Sequence, residues 1–361
     1  MSEGSGSSKT TYWPGLDGVR GVAIAGVVVF HTRLTLLPGG GFGVDVFFVL
    51  SGFLITLILT KQWRAVGRLD LGRFYARRAL RLLPASCVAI PVGLAVTWLS
   101  VPSLRPGLVH AAIAAFGFIG DFRAAKNPDL MGVFLPYWSL ALEEQFYVLW
   151  PPALFLLLRA RLRPVLLVTV TVTAAVAASA WHQIAYGHVA FSDLLYRPDL
   201  RVEGILLGCV LGLLVGFELV PSAAWFRWMV QAGALAGAVL LPVIMIRLEW
   251  FPDPVRWTLV VALVSGFVIL ERVTAPTRAL SLVLEWPALV WLGKISYSLY
   301  VIHVPAVVLV RSHITGSAAV VPAVVLSVVA AALLHYTVEA PFLRMKRRLT
   351  SEVGSGRDVG R

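Results

Sequence analysis

Charge is scarce in this chain of 361 residues. Asp, Glu, Lys and Arg make up 14% of it and apolar residues 58%, where soluble domains carry about 25% charged residues. That excludes an ordinary soluble domain and predicts an integral membrane protein. Cysteine is scarcer still. Cys87 and Cys209 are the only two, and each sits in an apolar run, which reads as two core thiols rather than a disulfide or a metal pair. No Cys/His group has metal-ligand spacing, so no metal is expected. Acidic residues are few beside basic ones, 19 against 31, for a formal net charge of +12. In a soluble protein that excess would point to nucleic acid. Here it reports topology, because Lys and Arg concentrate in cytoplasmic loops, and no nucleic-acid partner is expected. Also missing are the internal repeat that marks many secondary transporters and a signal peptide. The first apolar run is too long for one, holds Asp17 and Arg20, and leads into further spans.

What is present is a series of apolar stretches of spanning length. They lie at 15–36, 42–60, 81–99, 138–158, 164–181, 199–217, 223–246, 255–271, 286–311 and 318–338. A further run at 106–122 reads as a re-entrant or interfacial helix. Counting it as a span would put Arg159, Arg161 and Arg163 outside, against the positive-inside rule. The predicted fold is therefore all-α: a polytopic membrane bundle of about ten transmembrane helices with both termini cytoplasmic. Residues 1–12 read as a disordered Ser/Gly-rich tail, 13–343 as the membrane domain and 344–361 as a cytoplasmic tail. No soluble domain is expected at either end.

Ionisable groups inside a span are costly, so they are the first functional candidates. The opening span holds Arg20 near one end and His31 near the other. Eleven residues at about 100° each make three turns plus about 20°, so the two share a face about 16 Å apart along the axis. That spacing suits a long, thin ligand with charge at one end and chemistry at the other. The second span opens on Gly43 and Asp45, with Gly52 further in. The glycines fit close helix packing, and Asp45 comes level with His31. Arg73, Arg77, Arg78 and Arg81 follow; the last three fall on one helical side, a place for phosphates or for anionic lipid.

The fourth span carries Ser139, Glu143, Glu144, Gln145 and Tyr147. Adjacent residues point about 100° apart, so at most one glutamate can aim at His31. Structural pairing of a glutamate with Arg201 is the competing reading. Asp199, Arg201 and Glu203 open the sixth span, either lining an acceptor cleft or holding helices together. On the ninth span Ser296, Tyr300 and His303 can follow one face. His110, His182, His188, His313 and His335 read as ordinary structural histidines.

Taken together these stretches resemble the acyltransferase 3 family of integral-membrane O-acyltransferases. The resemblance rests on Leu16-Asp17-Gly18-x-Arg20 with His31, on Gly43-Val44-Asp45 through Gly52-Phe53, and on Arg77-Arg78-x-x-Arg81. It continues in Trp138-Ser139 through Glu143-Glu144-Gln145-Phe146-Tyr147, in Asp199-x-Arg201, in Ile295-Ser296-Tyr297-Ser298-Leu299-Tyr300-x-x-His303 and in Glu339-x-Pro341-Phe342. The chain departs slightly at Val19, Val22 and around Arg201. It also lacks the extra soluble domain of some members, which turns the expected acceptor slightly towards a small molecule or a lipid-linked sugar.

The resemblance implies a bacterial plasma-membrane enzyme. It would take an acyl group, acetyl by default, from cytoplasmic acyl-coenzyme A to a hydroxyl on a glycan, glycolipid, macrolide or other glycosylated molecule. His31 would be the general base, oriented by Glu143 or less directly Glu144, with Asp45 beside it. Arg20, Arg73, Arg77, Arg78 and Arg81 would hold the donor, and Ser139, Tyr147, Asp199, Arg201, Tyr300 and His303 the acceptor. The competing class is a proton-coupled transporter or glycolipid flippase using the same buried charges.

Overall fold

The computed structural model describes residues 12–33, 35–247 and 255–345. The tails expected at 1–12 and 344–361 lie almost wholly outside the described residues. Among the described residues the chain is helical, with no strand.

Helix α1 (Pro14–Thr32) starts on a proline, whose missing N–H costs nothing in a first turn. Helix α2 (Gly43–Val66) follows a 3₁₀ turn and stops at Gly67, whose φ of +66° needs glycine. Helix α3 (Leu71–Ser100) is capped by Asp70, which accepts the Arg73 backbone N–H. The stretch expected as re-entrant or interfacial forms α4 (Leu108–Phe116) and α5 (Gly120–Lys126). These extend about 14 and about 10 Å, too short to cross a bilayer. Next come α6 (Tyr137–Arg159), α7 (Pro164–Ala185), α8 (Phe191–Tyr196), α9 (Pro198–Arg201), α10 (Glu203–Gly216), α11 (Ala224–Arg247) and α12 (Val255–Thr274). The chain closes with α13 (Arg278–Leu284), α14 (Pro287–Lys294), α15 (Ser296–Arg311) and α16 (Val320–Leu334), which runs on through a π-helical turn, His335–Glu339.

Among the described residues seven helical stretches are long and apolar enough to cross a membrane, eight if α14 and α15 count as one broken span. The chain is thus an integral membrane protein, but the expected ten spans are not all met on these criteria. Helix α6 is long, yet Glu143 and Glu144 dilute it. Helix α10 has 14 residues, about 21 Å against a hydrocarbon core of about 30 Å. The run expected at 199–217 is also not one helix, because it breaks at Val202. The ninth run bends by 76° between α14 and α15, where Gly293 lies so close to the Asp17 backbone that a Cβ would collide with its carbonyl.

Small residues bring the central helices together. A Cβ on Gly52 would run into the Ile205 carbonyl of α10, and one on Gly208 into the Val49 carbonyl of α2. Gly43 sits likewise against Ala23 of α1. Close packing is therefore the role of Gly43 and Gly52. Valine at Gly52 should cost about 1–3 kcal/mol or more and sharply reduce monodisperse protein in detergent. Alanine at Gly72, where a Cβ meets nothing nearer than Asp70 Oδ1 at 3.8 Å, should leave the chromatographic profile unchanged.

At one corner of the bundle Arg272 is buried. Its guanidinium donates to both carboxylate oxygens of Glu271 (2.5 and 2.6 Å), to Ser281 (2.8 Å), to the Thr277 carbonyl (3.0 Å) and to Glu285 (3.2 Å). This ties α12 to α13 and to the start of α14, against which α1 packs.

Candidate active site

The last turn of α1 and the middle of α15 bring two imidazoles together. His31 Nδ1 lies 2.8 Å from the Val27 carbonyl and 3.3 Å from His303 Nε2, with ring centres 4.9 Å apart. His303 Nδ1 lies 2.7 Å from the Tyr300 carbonyl and 3.2 Å from that of Leu299. A carbonyl only accepts, so these partners assign the proton of each ring to Nδ1. His303 Nε2 is then a bare acceptor that shares the single His31 Nδ1–H with the Val27 carbonyl, and His31 Nε2 keeps a free lone pair. His31 is only partly buried, whereas His303 is fully buried.

Tyr300 extends the cluster. Its hydroxyl donates to the Pro136 carbonyl (2.9 Å) and accepts from Ser139 (2.7 Å), and its ring centre is 5.8 Å from that of His303. Arg311 donates to the Thr32 carbonyl and fixes the end of α1 beside His31. The structure thus gathers His31, His303, Tyr300 and Ser139.

The glutamates are placed differently from expectation. Neither contacts His31. Glu143 Oε2 accepts from Ser51 of α2 at 2.5 Å and from Tyr147 at 3.3 Å. Glu144 holds Arg78 of α3 through both oxygens, Nε donating at 2.9 and 2.8 Å, and the guanidinium lies over the Tyr147 ring at 3.2 Å. The face of α6 that meets α15 at Ser139 meets α2 one turn further on, so Glu143 faces Ser51 and His303 takes the position beside His31. Pairing of either glutamate with Arg201 is not seen either.

Arg201, its side chain 0% exposed, donates to Asp45 Oδ1 at 2.7 Å. Its guanidinium carbon is 5.7 Å from the Trp138 ring centre. Glu203 lies 3.1 Å from His182 Nδ1. Five atoms of this quartet have no hydrogen-bond partner: Asp45 Oδ2, Arg201 Nε and Nη1, His182 Nε2 and Glu203 Oε2. Asp45 is therefore engaged with Arg201 and makes no contact with His31. Asp199 does not join them, because the break at Val202 turns it outward. It takes Arg197 at 2.8 and 3.0 Å and Trp181 at 3.1 Å.

At the Arg20 end of α1 lies a cavity of about 440 Å³, lined by four cations, Arg20, Arg81, Lys294 and Arg344, with His335 and the carboxylates of Asp17 and Glu339. Both carboxylates are engaged. Asp17 takes Arg20 at 3.2 Å and the Tyr12 hydroxyl at 2.8 Å; Glu339 takes Ser298 at 2.7 Å and lies 2.9 Å from His335 Nδ1. Partial burial, reinforced by the bond to Asp17 and its charge, pushes the Tyr12 hydroxyl up to about 12, so it stays a donor. Four cations thus outnumber two carboxylates, one of which is already paired with Arg20, and the lining carries an excess of positive charge.

Of the arginines expected to act together on α3, only Arg81 lines the cavity. Arg78 is committed to Glu144, and Arg73 stays within 3.6 Å of Asp70. Arg77 does not line it, because the cavity opens one helical turn further along. Sequence reasoning missed Lys294, His335 and Arg344, the first supplied by α14 and the other two by the last helical stretch, Gly316–Met345. Their only signal was position: Lys294 follows Gly293 in the ninth-span motif, and Arg344 falls in a basic run that reads as an anchor.

Fold and site together define a helical integral membrane protein with a paired-imidazole centre at one end of its first helix and a basic cavity at the other. A family model described as Acyltransferase domain matches residues 13–337, and the chain belongs to this family, the one its motifs resemble. It is 31% identical over 312 residues to the Peptidoglycan O-acetyltransferase OatA of Listeria monocytogenes, covering 82% of this chain and 50% of that protein. It is also 31% identical over 315 residues to the O-acetyltransferase OatA of Staphylococcus aureus, covering 84% and 52%. The chain therefore spans about half the length of these relatives. No solved structure matches it.

Proposed function

We propose that this chain is a membrane O-acetyltransferase that moves an acetyl group from cytoplasmic acyl-coenzyme A to a hydroxyl of a glycan or glycosylated acceptor. One observation carries the reading: the unbroken helix α1 holds a cavity cation, Arg20, and a histidine with a bare Nε2, His31, about 16 Å apart. The donor phosphates sit among Arg20, Arg81, Lys294 and Arg344, where guanidinium forks suit phosphate oxygens. The pantetheine arm follows α1 and brings the thioester to His31. In this reading the Arg20 end, rich in Lys and Arg, faces the cytoplasm, as the positive-inside rule favours. The names of the relatives, one of them a peptidoglycan acetyltransferase, favour a glycan acceptor in the bacterial plasma membrane.

At the His31 end the acceptor oxygen attacks the thioester carbon while its proton passes to His31 Nε2. The carbon–sulfur bond breaks, and the departing thiolate takes that proton, leaving an acetyl ester and free coenzyme A. His303 performs the task expected of Glu143: its Nε2 accepts the His31 Nδ1–H and keeps Nε2 of His31 aimed at the substrate. Ser139 and Tyr300, next to this pair, position the acceptor. Glu143, Ser51 and Tyr147 shape the route between the two ends.

Purified protein in nanodiscs, given labelled acetyl-coenzyme A and hydroxyl-bearing glycan fragments, should form an ester. Movement of the acceptor across vesicles without product would favour the carrier instead. Charge-assisted bonds are worth about 1.5–3 kcal/mol, so Arg81→Ala should weaken coenzyme A binding by roughly 10- to 100-fold in equilibrium titration. An unchanged affinity would return Arg81 to lipid anchoring.

A further inference from the structure

A second cleft, also about 440 Å³, opens beside the basic cavity and is lined by Tyr12, Glu285, Val290, Trp291, Lys294 and Tyr336, among others. Three of these, Tyr12, Lys294 and Tyr336, line the basic cavity as well, so the two spaces adjoin around the Lys294 side chain. Their chemistry differs sharply. The first gathers four cations; the second has one, Lys294, amid aromatic and aliphatic surface.

The aromatic wall is held in place. Trp291 Nε1–H donates to the Tyr336 hydroxyl at 2.9 Å, and the Lys294 ammonium is 5.7 Å from the Tyr12 ring centre. At the rim, Glu285 Oε1 accepts from Arg272 at 3.2 Å, and its other oxygen remains an acceptor for an incoming N–H. The matching occupant has a flat π-face, an exocyclic amine and a short tether to several phosphates.

Given the reading of the basic cavity as the donor's phosphate site, we infer that this second cleft binds the adenine of the acyl-coenzyme A nucleotide. Trp291 and Tyr336 supply the stacking surface and Glu285 accepts from the adenine amine. Lys294, on the boundary, serves the phosphates. Base–aromatic stacking is worth about 1–3 kcal/mol per base when truncated to alanine, a loss of roughly 5- to 150-fold in affinity. The competing role for Trp291 and Tyr336 is that of an interfacial aromatic belt, which binds no base.

The test uses the full chain in nanodiscs and two probes, coenzyme A and 4′-phosphopantetheine, which lacks the adenosine together with its 3′- and 5′-phosphates. Trp291→Ala should weaken coenzyme A binding about ten-fold and leave 4′-phosphopantetheine affinity at the wild-type value. Trp291→Phe, which keeps a ring, should fall between and guards against a folding defect in the alanine variant. Equal weakening of both probes, or no change in either, overturns the adenine assignment and leaves Trp291 to the bilayer. Should wild-type protein bind neither probe, the donor reading fails first, and this inference with it.

Discussion

Alanine at His31 should lower acetyl transfer by at least about 10²–10⁴-fold, the usual contribution of a positioned general base. Coenzyme A affinity should stay at the wild-type level, because the basic cavity lies at the opposite end of α1. Transfer at the wild-type rate would remove His31 from the mechanism. The partner matters as much as the base. His303 accepts the His31 Nδ1–H at 3.3 Å and does not itself reach the reacting atoms, so it is a positioning residue. His303→Leu should reduce kcat with KM little changed. His303→Gln, whose side-chain carbonyl can accept the same proton, should recover part of the loss. A merely structural role would show no such rescue. Glu143→Gln should cost far less than either, since Glu143 touches Ser51 and Tyr147 rather than His31.

Leucine at Arg201 should destabilise the protein by about 3–5 kcal/mol, the penalty for leaving a buried charge without its partner. That is a large share of the 5–15 kcal/mol that typically holds a protein folded. Arg201 is buried together with Asp45 and Glu203, so removing the one guanidinium leaves two carboxylates facing each other in an apolar bundle. The melting temperature in detergent is the measurement. Asp45→Leu combined with Arg201→Leu should be more stable than Arg201→Leu alone, because an apolar pair of similar volume replaces an ionic one. A variant that melts like wild type yet loses acceptor binding would instead make the cluster an acceptor site.

Much of this arrangement was legible in the sequence, and the failures have a common cause. The pairing of Arg20 with His31 on one helix depends only on helical period, which sequence states directly. Close packing at Gly43 and Gly52 was legible for the same reason. Contacts between helices were not. Nothing in the run Glu143-Glu144 tells that α6 meets α15 at Ser139 but α2 at Glu143. His303 carried no local mark to separate it from an ordinary buried histidine. Length misled as well: residues 199–217 and 286–311 are apolar for a full span, yet they break at Val202 and Ile295, where tertiary packing overrides hydropathy. Lys294 meets His335 and Arg344 only after α14 packs beside the last helix, so no linear pattern could group the three.

The bend at Ile295 has a mechanical consequence. Lys294 ends the short arm of this elbow inside the cavity, and His303 rides on the long arm beside His31, the two arms meeting at 76°. Helix α1 packs against both arms, so the angle of the elbow sets how far the cavity cation Lys294 stands from the imidazole pair.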